Sequence, residues 1–236
     1  MNKENILFGV VGLLAGLIIG FVFANNVNQQ GTGAARSSAP VTGQNANIPP
    51  GHPEIGSMNG GQGGMQPEVQ AAIDAAKNAP NDFDAQAKAA DMYYQIGRFD
   101  EAIKYLQAAN KLRPDDRETI VQLGNANFDA DKYEEAERWY SSALAKKPDD
   151  VNVRTDLGLT FLLRTPPNYD RAIQEFDRSL AVDPNHIQTL QNMVVAYTKK
   201  GDAAKANSTI AKIEALEPTN SALQRLKEEA GKISSR

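Results

Sequence analysis

Residues 117–150 read RETIVQLGNANFDADKYEEAERWYSSALAKKPDD, and the pattern inside this window decides the fold. Leu123 and Gly124 hold its seventh and eighth places, Tyr133 the seventeenth, Ala136 the twentieth, Tyr140 the twenty-fourth, Ala143 the twenty-seventh and Pro148 the thirty-second. The window before it, Phe83 to Asp116, fits over it without a gap. It has a first apolar helix, a turn at Gly97-Arg98-Phe99-Asp100, and Glu101-Ala102-Ile103 opening a second helix. Pro80, Pro114, Pro148, Pro184 and Pro218 close successive windows at intervals of 34, 34, 36 and 34 residues, so the C-terminal two-thirds of the chain is one small unit repeated.

The spacing resembles the tetratricopeptide repeat (TPR), whose signature includes those places. The resemblance implies an all-α solenoid of helix-turn-helix units: repeats at 83–116, 117–150, 151–186 and 187–220, flanked by cap helices in 67–82 and 221–236. The third window keeps Leu157, Gly158, Phe161, Ala172, Phe176 and Pro184 but is two residues longer, at Thr165-Pro166-Pro167-Asn168. Proline cannot continue a helix, so the insertion is expected to enlarge the turn between the two helices. The fourth window is degenerate, with Val194 at the eighth place and Ile213 at the twenty-seventh, as suits a terminal unit that lacks a neighbour.

Helices of one unit cross closely only where side chains are small. That accounts for Ala90, Gly124 and Gly158 on first helices and Ala102, Ala136, Ala172 and Ala206 on second helices. Larger residues fill the gaps between units. Tyr93, Phe161 and Tyr197 recur at the eleventh place, with Asn127 as the polar departure, and Leu106, Tyr140, Phe176 and Ile210 recur at the twenty-fourth. One helix pair cannot bury its apolar stripe alone, so stacking makes the core. Pro67 to Asn78, with Val69, Ala72, Ile73 and Ala76 at helical spacing, reads as the first cap. Ser221 to Lys232, with Ser221 as candidate N-cap and Leu223 and Leu226 facing inward, reads as the last.

The N-terminus is a different object. Ile6 to Ala24 is free of charge and about 28 Å long as a helix, close to the thickness of a bilayer core, so residues 6–24 are expected to form one N-terminal transmembrane helix. The alternative is a secretory signal cleaved after Ala24. With Lys3 before the span and no basic residue after it until Arg36, residues 1–5 are expected in the cytoplasm and the repeats across the membrane, in a bacterium the periplasm. Gly12, Gly16 and Gly20 share one face and would let two such helices approach, giving self-association. The alternative is the general abundance of glycine in membrane helices. Residues 25–66 are rich in Asn, Gln, Gly, Ser and Pro without apolar period and read as a disordered linker, with His52 in it read as spacer.

No catalytic, cofactor or metal site is expected. The chain has two histidines, His52 and His186, and no cysteine, which leaves almost no material for zinc sites, thiol nucleophiles or His-based triads. Asp115-Asp116 and Asp149-Asp150 recur beside helix starts, where carboxylates favour the helix N-terminus. Nucleic acid is disfavoured too. Residues 1–66 hold two basic and two acidic side chains, so the formal charge of −4 belongs wholly to the repeats, without the basic stripe that phosphate contact requires.

The resemblance implies a protein-binding groove lined by first-helix residues at the second, fifth, ninth, twelfth and thirteenth places. Here these include Ala87, Asp91 and Tyr94; Val121, Asn125 and Phe128; Thr155, Leu159 and Leu162; and Gln191, Val195 and Thr198. Tyr94, Phe128, Leu159, Leu162 and Val195 would form a largely apolar track, with Asn125 placed to hydrogen-bond a peptide backbone. The other reading has some of these apolar side chains packed within the solenoid. Chaperone-binding members of the family clamp a terminal carboxylate with Lys and Asn at the fifth and ninth places of one repeat and basic residues at the second and sixth of a later one. Ala87, Asp91, Asn152 and Asp156 stand there instead, so that clamp is missing. The expectation is a membrane-anchored adaptor or scaffold, not an enzyme, that binds a protein or peptide segment. Its layout is also similar to bacterial envelope assembly factors, such as subunits that hold apocytochrome c during maturation or associate with the translocon.

Overall fold

The structure, a computed structural model, describes residues 67–234. Among the described residues there are ten helices and no strand. A leading helix α1 (Pro67–Asn78) precedes four pairs: α2 (Phe83–Gln95) with α3 (Phe99–Leu112), α4 (Arg117–Asp129) with α5 (Tyr133–Lys146), α6 (Val151–Leu163) with α7 (Tyr169–Val182), and α8 (Ile187–Lys200) with α9 (Ala203–Leu216). The last helix, α10 (Leu223–Ser234), follows Pro218. Each helix packs on the next in sequence, α6 also touches α8, and α10 folds back on α8.

First helices start where the period sets them because the residue before each is a cap. Asp82, Asp116 and Asp150 accept backbone N–H groups of the following turn, and His186 takes the same place in the fourth unit, with Nδ1 near the Thr189 N–H and 2.7 Å from its hydroxyl. The turn within each unit has a shared fastening. The N–H of the residue opening the second helix donates to the carbonyl at the eleventh place: Arg98 to Tyr93, Lys132 to Asn127, Asp202 to Tyr197. In the third unit Asn168 donates to Phe161 over 2.7 Å, two residues further along the chain, so the enlarged turn absorbs the whole insertion. Gly97 and Gly201 lie in this turn at φ of 73° and 85°, a conformation for which glycine is suited.

The close crossings are as tight as the small residues imply. A Cβ built on Gly124 would stand 2.5 Å from the Tyr140 ring, and one on Gly158 would stand 2.4 Å from the Phe176 ring. Both rings are fully buried. The main core cluster runs through units two to four, from Ile120 to Ala196. Val69, Ala72 and Ile73 of α1 close one end with Tyr93 and Ala102, and Leu223, Leu226 and Ala230 of α10 close the other with Val194 and Ile213. Asn127, the polar member of the eleventh place, is satisfied inside its own helix by donating Nδ2 to the Leu123 carbonyl over 2.7 Å.

One boundary differs from its prediction. Ser221 does not cap α10; Asn220 does the local work, its Oδ1 accepting the Ala222 N–H at 2.9 Å, so the turn runs two residues longer and the helix starts at Leu223. Among the described residues no helix is long and apolar enough to cross a membrane. The span at 6–24 with Gly12, Gly16 and Gly20, the tail at 1–5, the linker at 25–66 and His52 all lie outside the described residues.

Candidate functional site

The fifth, ninth and twelfth places of the first helices divide into an open and a closed half. In the first two units Asp91, Tyr94, Val121 and Asn125 remain partly accessible. In the third unit the track closes: Leu159 is 0% exposed and Leu162 6%, both inside the main core cluster. Phe128 of the second unit joins them at 5%, edge-on to Tyr133. The prediction that Phe128, Leu159 and Leu162 line an open groove is therefore corrected to core positions. The reason is tertiary packing: Leu159 and Leu162 share the main core cluster with Met193 and Ala196 of α8, and Phe128 lies against Tyr133 at the start of α5.

Two polar members of the predicted track are also internal. Thr155 is fully buried, its hydroxyl within 2.8 Å of the Val151 carbonyl, 3.0 Å of the Ser179 hydroxyl and 2.6 Å of the Thr189 hydroxyl. Gln191 is buried and donates Nε2 to Asn220 Oδ1 at 3.0 Å, which ties α8 to the last turn. Val195 and Thr198 stay partly accessible at the far end, where Val195 packs against both core clusters.

What the open half contains is a small cavity of about 190 Å³ between α2, α3 and α4, lined by Ala90, Asp91, Tyr94, Leu106, Gln122 and Asn125. The predicted residues Asp91, Tyr94 and Asn125 are thus brought together, and Ala90, Leu106 and Gln122 join them. The polar groups here are held by phenols. Tyr94 donates its hydroxyl to Asp129 Oδ2, and the buried Tyr140 donates to Asn125 Oδ1 at 2.9 Å. Burial pushes both phenols well above their ordinary range, reinforced by Asp129 and Asp156.

Asp156 is the most perturbed carboxyl of this face. Burial, then the charges of Asp129 and Asp150, push it up to about 7. Asp91 is raised by burial as well, with Lys88 opposing the shift and Glu118 adding to it. Sequence reasoning gave no role to Asp129 and noted Asp156 only as the wrong residue for a clamp. The signal was available in the thirteenth and sixth helix places, which share this face.

A raised carboxyl means that the folded chain holds a proton on Asp156 between pH 4 and 7 which the unfolded chain releases. Stability from this group is full below pH 4, falls as pH rises to about 7, and levels off above. Asp156→Asn is expected to raise the melting temperature by several degrees at pH 8 and to change it little at pH 4. Equal melting temperatures at pH 8 would show that the carboxylate is not strained there.

Stacked helix hairpins of 34 to 36 residues, capped at both ends and open on the first-helix side of two units, define an α-solenoid repeat protein. The chain belongs to the tetratricopeptide repeat family. One family model of the tetratricopeptide repeat matches residues 97–157 and 168–230 and a second matches 66–117. The break between 157 and 168 contains the Pro166-Pro167 turn. Neither is a model of a catalytic family.

Solved structures agree on the fold. The chain is similar to the crystal structure of MamA, with a TM-score of 0.58 and 25% identity over 64% of this chain and 86% of that one. It is similar to YrrB, described as a TPR protein with an unusual peptide-binding site, with a TM-score of 0.59 and 18% identity over 68% and 81% of the two chains. A MamA fragment from residue 41 to the end, from Desulfovibrio magneticus RS-1, gives 0.56 and 17% over 66% and 99%. No curated protein matches the chain in sequence.

Proposed function

We propose that the protein is a membrane-anchored tetratricopeptide adaptor that binds a segment of another protein on the first-helix face of its first two repeats. The observation that carries this reading is the cavity between α2, α3 and α4, which stays accessible while the same face of the third repeat is covered. With Asn125 Oδ1 held by the Tyr140 hydroxyl, its amide Nδ2 is the group left to donate to a peptide carbonyl. Val121 and Tyr94 supply apolar surface beside it. Docking of this kind uses extended or helical segments of a partner.

The anchor at Ile6–Ala24 and the bias from Lys3 support a cytoplasmic N-terminus and repeats in the periplasm. Tethering then raises the groove's effective concentration toward other envelope proteins without any added contact. A photo-crosslinking residue at Gln122, which lines the cavity, is expected to trap a discrete partner in intact cells. The same residue at Arg138, exposed on α5, should trap none. Identical adducts from both positions, or none from Gln122, would sink the groove reading. Protease attack on the repeats in spheroplasts, but not in intact cells, is the result expected for the periplasmic side.

A further inference from the structure

The eighth and twenty-fourth places of a unit meet across its helix pair, and their sizes vary inversely. Glycine meets an aromatic ring in units two and three, Val194 accompanies Ile210 in unit four, and Ala90 accompanies Leu106 in unit one. In unit two the ring of Tyr140 reaches through to the groove face, where its hydroxyl touches Asn125. A leucine side chain is shorter, and at that place in unit one the space is empty: it is the cavity of about 190 Å³ whose wall includes Ala90 and Leu106.

That volume lies below the roughly 300 Å³ at which small-molecule pockets begin, so it suits a single long side chain. Its floor is aliphatic at Ala90 and Leu106, and its rim is polar at Asp91, Gln122 and Asn125. The titratable groups that act on Asp91 and on its neighbour Tyr94 come from three helices. Asp91 and Lys88 come from α2, Glu118 and Asp129 from α4, and Asp156 from α6. Burial already disfavours the Asp91 carboxylate in spite of Lys88, so a second cation beside it would meet a group short of positive charge.

An apolar floor beneath a polar rim that carries the Asp91 carboxyl matches a side chain with a methylene stem and a cationic head. We infer that this cavity takes a lysine or arginine side chain of the bound peptide, its stem against Ala90 and Leu106 and its head at Asp91. The inference rests on the groove reading above and adds the partner's chemistry to it.

The test uses the full chain in detergent and fluorescently labelled, end-capped dodecapeptides of Ala, Gln and Leu that differ only at one central residue: Lys, Arg, norleucine or Glu. Lys and Arg peptides are expected to bind about tenfold tighter than the norleucine peptide, the scale of one charge-assisted hydrogen bond, and Glu peptides not at all. Asp91→Asn should bring Lys and Arg peptides down to the affinity that the norleucine peptide shows for the same variant. Leu106→Phe made together with Ala90→Gly, which recreates the Gly158 and Phe176 pairing and fills the cavity, should abolish binding while the chain stays folded at the assay temperature; if that variant unfolds, Asp91→Asn still decides. Norleucine binding as tight as lysine, or a preference that survives Asp91→Asn, overturns the inference and leaves the groove reading standing. No binding by any peptide overturns both.

Discussion

Gly158→Ala is expected to lower the stability of the repeats by about 3 kcal/mol, the upper part of the usual range for overpacking a filled core. The new methyl would stand 2.4 Å from a carbon of the Phe176 ring. That ring is fully buried and cannot swing into solvent, so the two helices must part. Phe176→Leu alone should also destabilise, by about 1–3 kcal/mol, since it leaves a cavity. The two together recreate the Ala90 and Leu106 combination of the first unit. The double variant should therefore be more stable than the sum of the single losses predicts, by about 1–2 kcal/mol. Urea unfolding of all four proteins measures the coupling. Simple additivity would mean that the crossing is not set by this pair.

Glu175→Gln should cost about 3 kcal/mol, at the lower end for breaking a buried ion pair. The Glu175 side chain is only 2% exposed and is ringed by Arg154 and Arg178 at 3.0 Å and Arg171 at 3.7 Å. The magnitude is decided by how much of that ring is left stranded. Arg171 and Arg178 are about half exposed and return to water, whereas Arg154 is 15% exposed and keeps only the Pro148 carbonyl, at 2.7 Å. Arg178→Ala should accordingly cost less than about 1 kcal/mol, as exposed pairs do. A loss for Glu175→Gln no larger than that of Arg178→Ala, by thermal or urea unfolding, would show that the buried carboxylate is not held by Arg154.

The helices and their pairing were legible because backbone constraints repeat. Caps at Asp82, Asp116 and Asp150, glycine at the crossing places and proline at the end of each window report local geometry that one unit imposes by itself. The groove was legible only in part, because accessibility is a property of the stack. Leu159 and Tyr94 occupy neighbouring columns of the same face, yet one is buried in the main core cluster and the other borders a cavity. No pattern within a single unit records how closely α6 and α8 approach. Asp129 and Asp156 escaped notice for a related reason: charged residues on a helix read as solvated until neighbouring helices remove the water.

The turn of the third unit has a consequence for how such a stack can vary. Asn168 makes the same backbone bond to the eleventh place as Arg98, Lys132 and Asp202 do, across a longer stretch of chain. The geometry of the second helix is thus set at the two ends of the turn and is indifferent to what lies between them. Residues 165–167, between Arg164 with its ion pair to Glu137 and Asn168 with its backbone bond, are a point where sequence length is decoupled from structure. A short foreign peptide inserted there would be displayed at the edge of the solenoid while the helices on either side keep their register.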